Sequence, residues 1–166
     1  MSRPTRVVIA EGDAPMRLQL AATLAAAGHE VVDLEDGVAV LELLGEDEWR
    51  PDVVVVDADL PRLTGLDVLH ELRELSPPIP AILLTELPRG ALNLPGRRCG
   101  AVAILELPFE AELLVEAVRR ATVGTSYAGP PRPASGRLRS RADAEPQRPA
   151  ARRASERLVA AWRSWL

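Results

Sequence analysis

The sequence predicts an α/β fold built on a doubly wound, five-stranded parallel sheet. Three observations carry that expectation. Strand and helix signals alternate from Arg6 to about Thr122, as a series of βα units requires. Residues 53–56 are four consecutive valines with Pro51 before them and a turn after, the pattern of a strand buried on both faces. That strand runs into Asp57, which places a carboxylate at the sheet edge where open α/β folds keep their chemistry.

Strands are expected at residues 6–10, 30–34, 52–56, 81–85 and 102–105. After the first, residues 15–27 carry Leu18, Leu20, Ala21, Leu24 and Ala25 at helical spacing, with Gly28 following as the C-cap. Residues 37–44 and 65–75 read as further helices, the latter stopped by Ser76-Pro77-Pro78. Residues 109–122 present an amphipathic stripe of Leu113, Leu114, Ala117, Val118 and Ala121. The segment between Thr85 and Gly100 differs, because it carries Pro88, Gly90, Pro95 and Gly96. An interior proline costs about 3 kcal/mol and a glycine about 1 relative to alanine, so a short or broken helix, or a loop, is expected there. Five such units fit the flavodoxin-like strand order 2-1-3-4-5, since right-handed crossovers leave few other arrangements.

Residues 1–123 therefore read as one domain, and the remainder of the 166-residue chain as something else. Residues 124–150 are rich in Pro, Arg, Ala, Ser and Gly, a linker expected to be disordered. Residues 151–166 return to a helical pattern, with Ala154, Leu158, Ala161, Trp162 and Trp165 on one face and Arg152, Arg153, Glu156, Arg157 and Arg163 largely elsewhere. So short a helix is marginal alone and needs a surface to pack on. Paired tryptophans suit a protein groove, which makes Leu158, Trp162 and Trp165 the candidate partner-binding residues.

Charge follows the same division. All 20 basic residues are arginine: 11 stand against 21 acids in residues 1–131, and 9 against 3 in residues 132–166. An acidic body with a basic tail points to self-association, a homodimer included, or to an acidic partner. Contact of the tail with nucleic acid or a membrane surface is less expected than protein docking. No apolar run approaches the roughly 20 residues needed to span a bilayer, and the N-terminus lacks the features of a secretory signal. The single cysteine, Cys99, excludes an internal disulfide and any multi-cysteine metal site. A cytoplasmic protein is the expectation. No effector domain is recognisable after residue 123, so DNA recognition by a second folded domain is not expected.

Asp57, Pro61 and Gly65 are spaced as D-x-x-x-P-x-x-x-G. Together with the five βα units, this stretch resembles the phosphoacceptor strand of the response-regulator receiver (CheY-like) family, and the resemblance covers residues 6–122. It implies a phosphorelay signalling domain with a histidine kinase or another regulator as partner, and it assigns Asp57 as the phosphoacceptor. Such chemistry needs a nucleophilic carboxylate, a divalent cation on hard oxygen ligands, and donors around the phosphoryl oxygens. By the resemblance, Mg2+ is held by Glu11, Asp57 and the backbone carbonyl of Asp59. Thr85, ending the fourth strand, contacts the phosphoryl group, and a Lys-Pro pair follows the fifth.

Two positions depart from the family pattern. Met16 and Arg17 align the family's acidic pair on Glu11-Gly12, so Gly12 removes the carboxylate that usually touches the metal. Asp13 could replace it if the loop shifted by one residue, but its position favours an N-cap, with Pro15 in the first turn. Leu107-Pro108-Phe109 stands where the family has Lys-Pro-Phe. Leu107 cannot neutralise a phosphoryl oxygen, and Glu106 projects to the opposite side of the strand with the wrong charge. Ile104 occupies the place of a mobile aromatic residue in many receivers. His29 and His70 lie far apart with no partner spacing. The sequence therefore points to an atypical pseudo-receiver, not an enzyme. It would act mainly as a protein-interaction module, with Mg2+ binding weak or absent and phosphorylation impaired. The alternative is a phosphorylatable single-domain response regulator that uses Asp57 and Mg2+, with Arg89, Arg97 or Arg98 standing in for the lysine.

Overall fold

The computed structural model describes residues 3–46, 49–75, 77–88, 96 and 98–123. The linker and C-terminal segment expected over 124–166, with Leu158, Trp162 and Trp165, lie outside the described residues. Five parallel strands, β1 (Arg6–Ala10), β2 (Glu30–Leu34), β3 (Val53–Asp57), β4 (Ala81–Thr85) and β5 (Ala101–Glu106), form one sheet in the order β2-β1-β3-β4-β5. The connecting helices are α1 (Ala14–Ala26), α2 (Gly37–Leu44) and α3 (Gly65–Glu74), and α4 (Ala111–Val123) follows β5. The doubly wound α/β expectation holds.

Strand alternation splits the core into two layers. Val7, Ile9, Val53, Val55, Ile82 and Leu84 face α1 and α4, where Leu20, Leu24, Leu114 and Val118 meet them. Val8, Val54, Val56 and Leu83 face the other way, onto Val40 of α2 and Val68, Leu69 and Leu72 of α3. The four valines of β3 are all fully buried, and each such side chain contributes about 1.5–3 kcal/mol. This explains why β3 reads as an unbroken apolar run: it has no solvent face.

Several boundaries move by one or two residues. β3 starts at Val53 and extends through Asp57, because the Ala58 N–H still donates to the Leu84 carbonyl at 2.9 Å. β5 gains Ala101 and Glu106, which pair with Ala81 and Thr85. α1 begins at Ala14 and ends at Ala26 with Ala27 as its C-cap; Gly28 sits one place further on, at φ +89°, and donates to the Ala25 carbonyl at 3.0 Å. That left-handed position is the one glycine fills without strain. α3 stops at Glu74 because Leu75 is already extended. α4 starts at Ala111 after a turn in which the Leu113 N–H donates to the Glu110 carbonyl at 2.9 Å. Leu18, 63% exposed, and Leu113, 41% exposed, fall off the buried stripes in which the spacing had placed them.

In the segment before β5, Gly96, Arg98 and Cys99 are helical, and most of residues 89–97 lie outside the described set. A Cβ on Gly96 would stand 2.9 Å from Ile104 Cδ1, so glycine here lets the backbone approach β5. Among the described residues, no helix is long and apolar enough to cross a membrane.

Candidate functional site

The chain leaves β1 to one side for β2 and later returns to the other side for β3. A crevice opens at the carboxyl ends of the two strands where such a reversal occurs. Glu11 directly follows β1, Asp57 ends β3, Thr85 ends β4, and Leu107 follows β5. A cleft of about 390 Å³ lies there, lined by Glu11, Gly12, Asp13, Met16, Asp57, Asp59, Glu86 and Leu107. Most of the residues assigned from the sequence thus converge. Glu86 and Met16 are walls that the sequence reading did not assign. For Glu86 the available signal was its place immediately after Thr85 at a strand end.

Asp13 is the N-cap of α1: its carboxylate accepts from the Met16 N–H at 2.8 Å. Its backbone N–H donates to Glu11 Oε1 at 3.0 Å. These two bonds tie Asp13 to the first turn of α1 and to Glu11, and Gly12 between them has no side chain to offer the cleft. Glu11 is only 4% exposed. Burial pushes its carboxyl above the usual range, the Asp13 N–H opposes this, and the charges of Asp57 and Asp13 add to the rise. Arg17 is committed away from the cleft centre. Its Nη1 donates to the Glu11 carbonyl at 2.7 Å, and its Nε lies 3.4 Å from Asp33.

Burial also raises Asp57; the N–H groups of Asp59 and Ala58 oppose it, while the charges of Asp59 and Glu86 reinforce it. Thr85 is fully buried, its Oγ1 accepts from the Leu87 N–H at 3.0 Å, and its carbonyl accepts from the Leu107 N–H at 2.8 Å. That last bond fixes the apolar Leu107 side chain at the cleft wall. The Leu107–Pro108 peptide is cis.

The loop after β3 is held from both sides. A Cβ on Gly65 would lie 2.2 Å from the Asp57 carbonyl oxygen, so only glycine lets α3 begin this close to Asp57. Asp36, 3% exposed, caps α2 through the Ala39 N–H and accepts from Arg62 Nη1 at 2.7 Å. Arg62 has φ +71°, and no pattern in the sequence marks this pair.

Among the described residues, no three His, Cys, Asp or Glu side chains are grouped so as to hold a metal ion. Asp13 is turned onto its helix, and Gly12 offers no oxygen from a side chain. Glu11, Asp57 and the Asp59 backbone would be the protein oxygens for a Mg2+ ion, which completes its octahedron with waters. No cationic side chain lines the cleft among the described residues. Arg98 is exposed on the segment before β5, and Arg89 and Arg97 lie outside the described set.

The family model for the response regulator receiver domain matches residues 7–119. The chain belongs to that family. It is 34% identical over 132 residues to response regulator MprA of Mycobacterium sp. (strain KMS), covering 79% of this chain and 56% of that protein. To MprA of Mycobacterium leprae it is 33% identical over 114 residues, covering 69% and 49%. This receiver thus spans about half the length of the curated relatives it matches. Among solved structures it resembles the chemotaxis response regulator CheY4 of Vibrio cholerae, with a TM-score of 0.65 at 27% identity over 71% of this chain and 98% of that one. A Francisella response regulator receiver domain superposes with a TM-score of 0.67 at 25% identity, covering 73% and 98%. Receiver domains of this kind are signalling modules of two-component systems that work with histidine kinases and other regulators.

Proposed function

We propose that this receiver acts mainly as a protein-interaction module in phosphorelay-type signalling, with phosphorylation at Asp57 impaired. One observation carries the reading: five acidic residues and Leu107 line the cleft, with no cation among the described residues. Phosphorylation turns the Asp57 carboxylate into an acyl phosphate whose phosphoryl oxygens carry close to two negative charges. Losing one donor that stabilises such charge costs about 3–4 kcal/mol, or roughly 100- to 1000-fold in rate. The missing carboxylate at Gly12 weakens Mg2+ binding as well, so neither means of neutralising the phosphoryl group is in place. Asp57 and the buried Thr85 keep the family positions without the electrostatics that make them work. Its partner is a signalling protein, a histidine kinase or another regulator, met in the cytoplasm.

The test is phosphoryl uptake. The full chain and Asp57→Ala are incubated with Mg2+ and a small phosphodonor and read by intact mass. No adduct on the folded protein is expected. An adduct that requires both Asp57 and Mg2+ would establish a working receiver and overturn the proposal.

A further inference from the structure

The loop after Asp57 contains one strained residue, and the contacts around it lead back to the cleft. The Leu63 N–H donates to the Pro61 carbonyl at 2.8 Å, and Arg62 between them has φ +71°. A three-residue turn with positive φ at its centre is rare and strained, and a side chain other than glycine persists there only where its surroundings over-determine it. Asp36 does so here. Its buried carboxylate meets Arg62 Nη1 at 2.7 Å, and a carboxylate so buried needs a partner of opposite charge or a hydrogen-bond donor. Gly37 lets α2 close on the same turn, since a Cβ there would stand 2.6 Å from the Leu63 carbonyl oxygen.

Pro61, the first corner of the turn, touches the other side of the site. A Cβ on Gly12 would lie 3.2 Å from Pro61 Cδ, so the β1–α1 and β3–α3 loops meet at Gly12 and Pro61. Glu11 stands beside Gly12 on one loop, and Asp57 and Asp59 precede Pro61 on the other. The two halves of the Mg2+ ligand set thus face each other across a contact that the Arg62 turn places. We propose that Arg62, held by Asp36, is a positioning residue for the Mg2+ site: its strained turn keeps the Asp59 carbonyl in register with Glu11. The inference rests on Glu11, Asp57 and Asp59 as the Mg2+ ligands and deepens the reading of this cleft as a weakened metal site. It holds whether or not Asp57 takes up a phosphoryl group.

Mn2+ binding tests this on the full chain. Mn2+ takes the same octahedral oxygen donors as Mg2+, and electron paramagnetic resonance counts the free ion directly. The binding scored is that lost in Asp57→Asn. Asp36→Asn, in which asparagine still caps α2, and Arg62→Gln each break the ion pair and leave the strained residue unheld. Both are expected to weaken binding about tenfold, the change when the competent loop falls to about one-tenth of the population. Asp36→Asn/Arg62→Gly has no pair either, but glycine takes a positive φ without strain, so binding is expected to return to within about twofold of the wild type. The single variants separate positioning from charge. If the two groups acted through their field at the cleft, losing the Arg62 cation would tighten binding and losing the Asp36 anion would weaken it. Opposite shifts in the single variants, unchanged affinity in both, no rescue in the double variant, or no Mn2+ bound by the wild type would each overturn the proposal. An Asp57-dependent phosphoryl adduct in the intact-mass assay would overturn the pseudo-receiver reading and leave these affinities to judge positioning.

Discussion

Asp52 and Asp57 flank the same buried run of valines, and their surroundings have opposite consequences. At the amino end of β3, Asp52 accepts both terminal guanidinium nitrogens of Arg3, at 2.8 and 2.6 Å, and the Arg6 N–H at 2.8 Å. Burial alone would raise its pKa, but these partners outweigh burial and hold the carboxyl below its ordinary value. At the carboxyl end, Asp57 has two backbone N–H groups and two acidic neighbours, and its pKa is raised. One end of the strand is neutralised for stability. The other keeps uncompensated negative charge where its family places chemistry, and the fold tolerates that cost because the valine core between them is complete.

The change that most severely breaks the carboxyl end is Gly65→Ala. Its Cβ would meet the Asp57 carbonyl oxygen at 2.2 Å, so the β3–α3 loop must move, at about 3 kcal/mol; urea denaturation measures the loss. Asp36→Ala removes the α2 cap and strips Arg62 of its buried partner, for about 2 kcal/mol by the same measurement. Asp52→Asn and Asp57→Asn sharpen the comparison directly, because they should move stability in opposite directions. The first loses about 1 kcal/mol, limited by the solvent exposure of Arg3. The second gains somewhat less at neutral pH, since it removes a charge that burial and Asp59 disfavour.

Their pH dependence has opposite signs. The folded pKa of Asp52 lies below its ordinary 3.8, so its contribution is present above that value and is lost as pH falls through the folded pKa. The folded pKa of Asp57 lies above 3.8, so folding favours its protonated form. Stability therefore declines as pH rises from the ordinary value through the raised one. Chemical denaturation of the wild type and each Asn variant between pH 3 and 7 should resolve the two. Parallel curves for the two variants would contradict the contrast.

Much of this fold was legible in the sequence because its signals are local. The bounds of β1, β2, β4 and α2 match the alternation and turn residues directly, and the Asp13 cap was legible in Asp13 followed by Pro15. The elements that shifted did so at ends, where a single hydrogen bond such as Ala58 to Leu84 decides. Helical spacing also placed Leu18 in a stripe from which α1 turns it outward. Motif spacing picked out Glu11, Gly12, Asp57 and Leu107, which the fold brings to one cleft, whereas Thr85 ends β4 fully buried and outside the cleft lining. The Asp36–Arg62 pair was not legible, since loops bring the two together across residues that share no period, and Glu86 was marked only by following Thr85 at a strand end.

The most direct test of the central claim is a labelling series with Mg2+ and a small phosphodonor, read by intact mass on wild type, Leu107→Lys, Gly12→Asp and the double variant. The account predicts no adduct on the wild type or Leu107→Lys, because a lysine alone leaves the position at Gly12 without its carboxylate, and labelling on Asp57 only when both changes are present. Efficient labelling of Leu107→Lys alone, or of the wild type, would contradict it.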